Sequence, residues 1–220
     1  MTRTSNDEDG DEFLIEPTCR ALVNFLEYAT LRACGGLYFT PTPGATSLRS
    51  FIARILHHSK TRLNVMLALP VYLGRLGWSL EPGMSVPSST PYEAFFGCLV
   101  LTTKYLMDVP RDSSFWVYCL MCSCNNLFFT ERGILELELE ILKRFQWRAD
   151  IHEHHLLPEL DLFLEFLAAA MKQALVHPSD PALRGLPEET EHRMRWIEAF
   201  IGHITETCLN HPCVLCTDTE

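Results

Sequence analysis

Apolar residues recur at helical spacing through most of the chain, and no segment alternates as a half-buried strand would. Leu22, Phe25, Leu26 and Leu31 predict a first helix at 17–33, ended by Gly35 and Gly36. Residues 37–46, rich in turn formers, read as a linker. Leu48, Phe51, Ile52, Ile55 and Leu56 then repeat at i, i+3, i+4. A helix at about 61–77 carries Leu63, Met66, Leu67 and Val71, and Pro70 within it predicts a kink or break. Residues 79–91 form a long loop. The next helix, 92–107, is apolar almost all round through Phe95, Phe96, Leu99, Val100 and Leu101, the mark of a buried central helix. After a turn at Asp108–Asp112, a short helix holds Phe115, Trp116, Tyr118 and Leu120. Thr130 is placed to cap the following helix, which runs to about Trp147, with Phe129 and Ile134 as a staple across the cap. Two further helices are predicted at 158–176 and 187–209; in the last, Met194, Ile197, Ile201, Ile204 and Cys208 keep a 3-4-3-4 spacing. Residues 1–12 read as a disordered acidic lead-in. The fold class is therefore all-α.

Composition adds exclusions. With 47% hydrophobic and 21% charged residues, the 220-residue chain can build a core. Its net charge of -10 opposes a nucleic-acid or anionic membrane partner, and its densest basic stretch, Arg49 to Arg62, is interrupted by apolar residues. Nine cysteines, odd in number and irregularly spaced, suggest reduced thiols and an intracellular site, nucleus or cytoplasm. MTRTSNDEDGDE is no signal peptide, and no apolar run of membrane-spanning length exists. Phosphate-binding loops, nucleophile elbows and HExxH are missing from the sequence, so neither enzyme activity nor a cofactor is expected.

Metal-ligating residue types occur in two places. Cys208, His211, Cys213 and Cys216 are chemically suited to zinc, but four ligands within nine residues leave little room for a tetrahedral wrap, so no metal is assigned. HEHH at 152–155 suits a ligand set or a polar link after the preceding helix, and is read as the link. Cys119, Cys122 and Cys124 lie among apolar neighbours, as core thiols do.

Two charges stand where apolar residues are expected. Ile134, Glu138, Ile141 and Phe145 share one helix face, so Glu138 lies within an apolar stripe. Lys104 lies likewise among Val100, Leu101 and Met107. Such charges are costly unless they pair with each other at the core's edge or meet a partner's polar groups.

Around these residues the sequence resembles the cyclins. The likeness is carried by LPVYLGRLG at 69–77, FFGCLVLTTKYLMD at 95–108 and FTERGILELELEILKRFQW at 129–147. Small and apolar residues lead to Lys104, with Asp108 shortly after; Glu138 precedes by nine residues an aromatic, Trp147. GMSVPSSTPYEAFFGCLVLTTKYLMD is most similar to the fungal PCL-type cyclins, which activate the cyclin-dependent kinase of the phosphate pathway. The resemblance implies a single five-helix cyclin box at 46–150, preceded by a lead-in, an N-terminal helix and a linker at 1–45, and followed by a two-helix extension at 151–220. It implies a regulatory subunit that binds and activates a cyclin-dependent protein kinase. Lys104 and Glu138 would then face the kinase, hydrogen-bonded only in the complex. One departure is Gly74, where many cyclins have an Asp that binds a first-helix Arg; the Arg candidate here is Arg49. A helical scaffold that activates nothing, and a cyclin-fold transcription factor, are the other readings of the same helices.

Overall fold

Three helices begin where a short polar side chain takes up a free backbone N–H. The Ser47 hydroxyl accepts from Ser50 N, the Asp112 carboxylate from Phe115 N, and the Thr130 hydroxyl from Gly133 N, at 3.1, 2.8 and 3.1 Å. Each bond satisfies a donor that the first turn leaves open, worth about 1 kcal/mol.

A computed structural model describes residues 17–35, 46–78, 91–124 and 129–176. They form α1 (Pro17–Ala33), α2 (Leu48–Ser59), α3 (Leu63–Trp78), α4 (Pro91–Leu106), α5 (Ser113–Ser123), α6 (Glu131–Arg144) and α7 (Glu153–Val176), with no strand among the described residues. The chain divides into two units, Met1–Gln173 and Ala174–Glu220.

The core sits around α4, as its all-round apolar pattern predicts. From Phe95 to Thr103 every residue is buried. The helix packs against α3 and α6 and also meets α1 and α2, while α5 closes on α2 and α6. Phe96 lies edge-on to Trp116 of α5 and stacks on Phe129, just ahead of α6. Burial of these rings, at about 25 cal/mol per Å² of apolar surface, is the main cohesive force of the unit.

α1 joins the same core through Phe25, Leu26 and Ala29. Its crossing with α3 is so close that a Cβ on Gly77 would lie 3.0 Å from Ala33 Cα. α7 lies on α1 through Phe163 and Phe166, whose rings are 5.6 and 5.9 Å from that of Phe25.

The structure refines the sequence reading at three places. Of the kink or break expected at Pro70, the break does not occur: α3 runs continuously, with its residues from Val65 to Leu73 buried against α1 and α4. That packing outweighs the roughly 3 kcal/mol a proline costs inside a helix. α6 ends at Arg144, short of Trp147. Gln146 N bonds Lys143 O at 3.0 Å and Trp147 N bonds Leu142 O at 2.9 Å, closing the helix with Gln146 and Trp147 both left-handed at φ 53° and 63°. α7 begins at Glu153, so HEHH is helix entry and not a link. The helix expected at 187–209, the lead-in 1–12 and the Cys208–Cys216 cluster lie outside the described residues.

Other carboxylates lie near Arg49 and near Gly74, the two positions of the departure. Glu27 of α1 lies near the Arg49 guanidinium; burial raises the Glu27 pKa and Arg49 offsets part of that rise. Over Gly74 itself comes Glu159 of α7, whose Oε1 would be 3.9 Å from a Cβ there and is 2.7 Å from Arg32 of α1.

Candidate functional site: the Lys104–Glu138 face

Close helix approach creates this site. A Cβ on Gly97 would collide with Ile141 Cδ1 and lie 3.0 Å from Leu137 Cγ, so glycine alone lets α6 press this tightly onto α4. Lys104 lies two turns beyond Gly97 and Glu138 one turn before Ile141, on the facing sides of the two helices.

At that crossing Lys104 Nζ donates to Glu138 Oε1 at 2.8 Å and Oε2 at 2.6 Å. The Glu138 side chain is only 9% exposed and that of Lys104 30%. The carboxylate thus depends on the ammonium for its charge balance, whereas the ammonium, which has three donors and spends two here, keeps one and some access to water. This corrects the expectation that the two charges bond only in a complex. The approach allowed by Gly97 brings them together in the free chain.

The rim of the pair is apolar and exposed. Leu135 and Leu142 are one turn from Glu138 along α6, and Leu139 follows it directly; Leu135 and Leu139 are each 46% exposed. Tyr105 and Val109 extend apolar surface from the end of α4, and Trp147 stands 63% exposed past the end of α6. A helix that only covers a core needs one apolar stripe; α6 has a buried one and a second, exposed pair in Leu135 and Leu139.

The segment carrying Trp147 is held by side chains from α3 and α4. Tyr72 Oη donates to Ala149 O, Arg75 donates to Arg148 O at 2.9 Å and to Asp150 O, and Ile151 N donates to Tyr105 Oη at 3.3 Å. Burial, then the neighbouring Tyr105, push the Tyr72 phenol well above its usual range, so it stays a donor throughout the physiological span. Sequence reasoning missed Arg75 and Tyr72, which bond a segment some seventy residues away. The bare Leu135–Leu139 stripe was legible as a second i, i+4 pair.

Two of the described thiols are poor nucleophiles. Burial raises the pKa of Cys98 far above its usual range and that of Cys119 to about 11, which keeps both protonated and unreactive near neutral pH. Among the described residues no group of His, Cys, Asp and Glu is arranged to hold a metal ion, and no helix is long and apolar enough to cross a membrane.

Comparison with known proteins gives one likeness and two blanks. The chain is 24% identical over 180 residues to PHO85 cyclin-1 of Saccharomyces cerevisiae, which covers 78% of this chain and 61% of that protein. This supports a relationship to the cyclins. No family model and no solved structure matches the chain.

Proposed function

We propose that the chain is a cyclin-like regulatory subunit that binds a cyclin-dependent protein kinase, and that Lys104 and Glu138 form part of the contacting face. The observation that carries the reading is the buried ion pair between α4 and α6, found at the two positions of the cyclin signature and bordered by the exposed Leu135 and Leu139. A partner laid on this face would bury the leucines and meet the remaining Lys104 donor. Excluding water there strengthens the ion pair, so the pair orients the face and fixes its register. Activation needs no chemistry from this chain; it needs tighter contacts to the active kinase arrangement than to the inactive one. A phosphate-pathway kinase is the first partner to try.

The test is a pull-down from a panel of purified cyclin-dependent kinases, followed by a kinase assay on each complex. One complex should form and show raised activity. The double variant Leu135→Asp/Leu139→Asp, altered only at exposed positions, should keep its melting temperature and lose the complex. A complex without raised activity would make the protein a scaffold, and undiminished binding by the double variant would move the contact face elsewhere.

A further inference from the structure

Away from the ion pair, three histidines gather where the chain enters α7. The rings of His154 and His155 are 4.0 Å apart, and His152 lies 5.5 Å from each. His155 Nδ1 is 3.2 Å from Arg75 Nη2 and 3.1 Å from the backbone N of His152. A guanidinium and a backbone N–H can only donate. Nδ1 therefore accepts from both, and the ring is neutral with its proton on Nε2.

His152 immediately precedes the first residue of α7, so His155 reaches back to the helix cap from the third helical position. Glu or Gln usually does this in a capping box. A histidine in the same place titrates near neutral pH. Protonated, Nδ1 would turn a donor toward two donors. The new charge would also sit at a helix N-terminus, beside Arg75 of α3 and the His152 and His154 rings. The Asp150 carboxylate opposes this, but its Oδ2 is 2.8 Å from His152 Nε2. Tyr72 of α3 and Tyr105 of α4 face the same segment through their hydroxyls, bonded to Ala149 O and Ile151 N.

We propose that His155 is a proton-operated latch on the segment joining α6 to α7: neutral, it caps α7 and holds Arg75; protonated, it lets go of both. Arg75 also bonds Arg148 O and Asp150 O, so a positive charge on the ring beside it would push on the guanidinium that holds the segment presenting Trp147 and strain those bonds. Burial first, then Arg75, His154 and His152, hold the His155 pKa below the ordinary imidazole range, with Asp150 opposing. In the open state the ring takes up a proton near its ordinary pKa of about 6.5. The closed state binds that proton only at lower pH. The latch is therefore at full strength above about pH 6.5 and weakens as pH falls from there toward the closed-state pKa. A single group of this kind shifts the open-to-closed ratio by at most about tenfold per pH unit. None of this depends on the partner being a kinase.

Amide hydrogen exchange on the full chain tests it, with protection corrected for intrinsic exchange at about pH 7.5 and about pH 5.5. Protection across 147–156 should fall several-fold at the lower pH while the α4 amides hold. His155→Gln keeps an acceptor that does not titrate, so it should stay protected at both values; His155→Ala should be poorly protected at both. An equal fall in wild type and His155→Gln would assign the effect to another group and overturn the proposal. So would constant protection in the wild type, or a fall that includes α4.

Discussion

Lys104–Glu138 and Arg32–Glu159 each join a base on one helix to an acid on another, and each lies near a glycine. The first pair makes two bonds, at 2.8 and 2.6 Å, around a carboxylate that is almost fully buried. The second makes one bond of 2.7 Å to an arginine that is 41% exposed. Packing separates them further. α6 presses on Gly97 within collision distance of any Cβ, whereas Gly74 leaves ordinary contact distance to Glu159. The first pair thus has a buried acid held at a tight crossing, and the second an arginine largely open to water. The first should behave as part of the core and the second as surface electrostatics.

The core that frames the first pair should give the largest effect. Leu99 is fully buried on α4, and Leu99→Ala should cost about 2–5 kcal/mol in denaturant unfolding. A cost well under about 1 kcal/mol would remove α4 from the centre of the fold. Breaking the pair itself should be asymmetric. Lys104→Ala strands a buried carboxylate and should cost about 3 kcal/mol, while Glu138→Ala leaves an ammonium with access to water and should cost nearer 1 kcal/mol. Equal costs would mean that water reaches both ends alike. The double variant Lys104→Met/Glu138→Leu should recover most of the stability, because an apolar pair can replace a buried ionic one. If that folded double variant also fails to bind a kinase, the charges contact the partner as well as each other.

Gly97→Ala should rank next, at about 1–3 kcal/mol, since the added methyl must push Ile141 and Leu137 aside. The more telling readout is coupling. Combined with Lys104→Ala, its cost should fall short of the sum, because the shifted α6 has already strained the ion pair. Strict additivity would separate the glycine from the site.

Much of this comparison was legible in the sequence, and what was not has a common cause. Helix positions, the burial of α4 and the two misplaced charges follow from periodicity, which is local. Thr130 as a cap is local too. That Lys104 and Glu138 pair with each other was one of two readings the sequence left open, and the choice depends on how closely α4 and α6 approach, which Gly97 against Ile141 sets and no periodicity marks. Of the kink or break that Pro70 predicts, the break does not occur, because burial on both sides of α3 leaves no local mark for propensity to read. The α6 end was misread because two residues other than glycine took left-handed conformations, which composition argues against. Glu159 standing over Gly74, and Arg75 reaching Arg148, join residues far apart in sequence and leave no trace in either neighbourhood.

The smallest expected effect lies on the second pair. Arg32 is well exposed and bonds a single oxygen, so its Coulomb gain is largely screened and part of it is offset by the ordering of a long side chain. Arg32→Ala should therefore cost less than about 1 kcal/mol. Salt sharpens the contrast. At about 1 M the Debye length drops to about 3 Å, so the deficit of Arg32→Ala should shrink toward zero while that of Lys104→Ala persists, its partner being shielded from ions by burial. One feature works against so small a number: Glu159 Oε2 is buried without a hydrogen-bond partner, which makes the remaining Arg32 contact more valuable than exposure suggests. Chemical denaturation in urea, which leaves ionic strength free to vary, reads both deficits at low and high salt. If Arg32→Ala costs as much as Lys104→Ala and keeps that cost at high salt, burial of the acid outweighs exposure of the base, and the two pairs are of one kind.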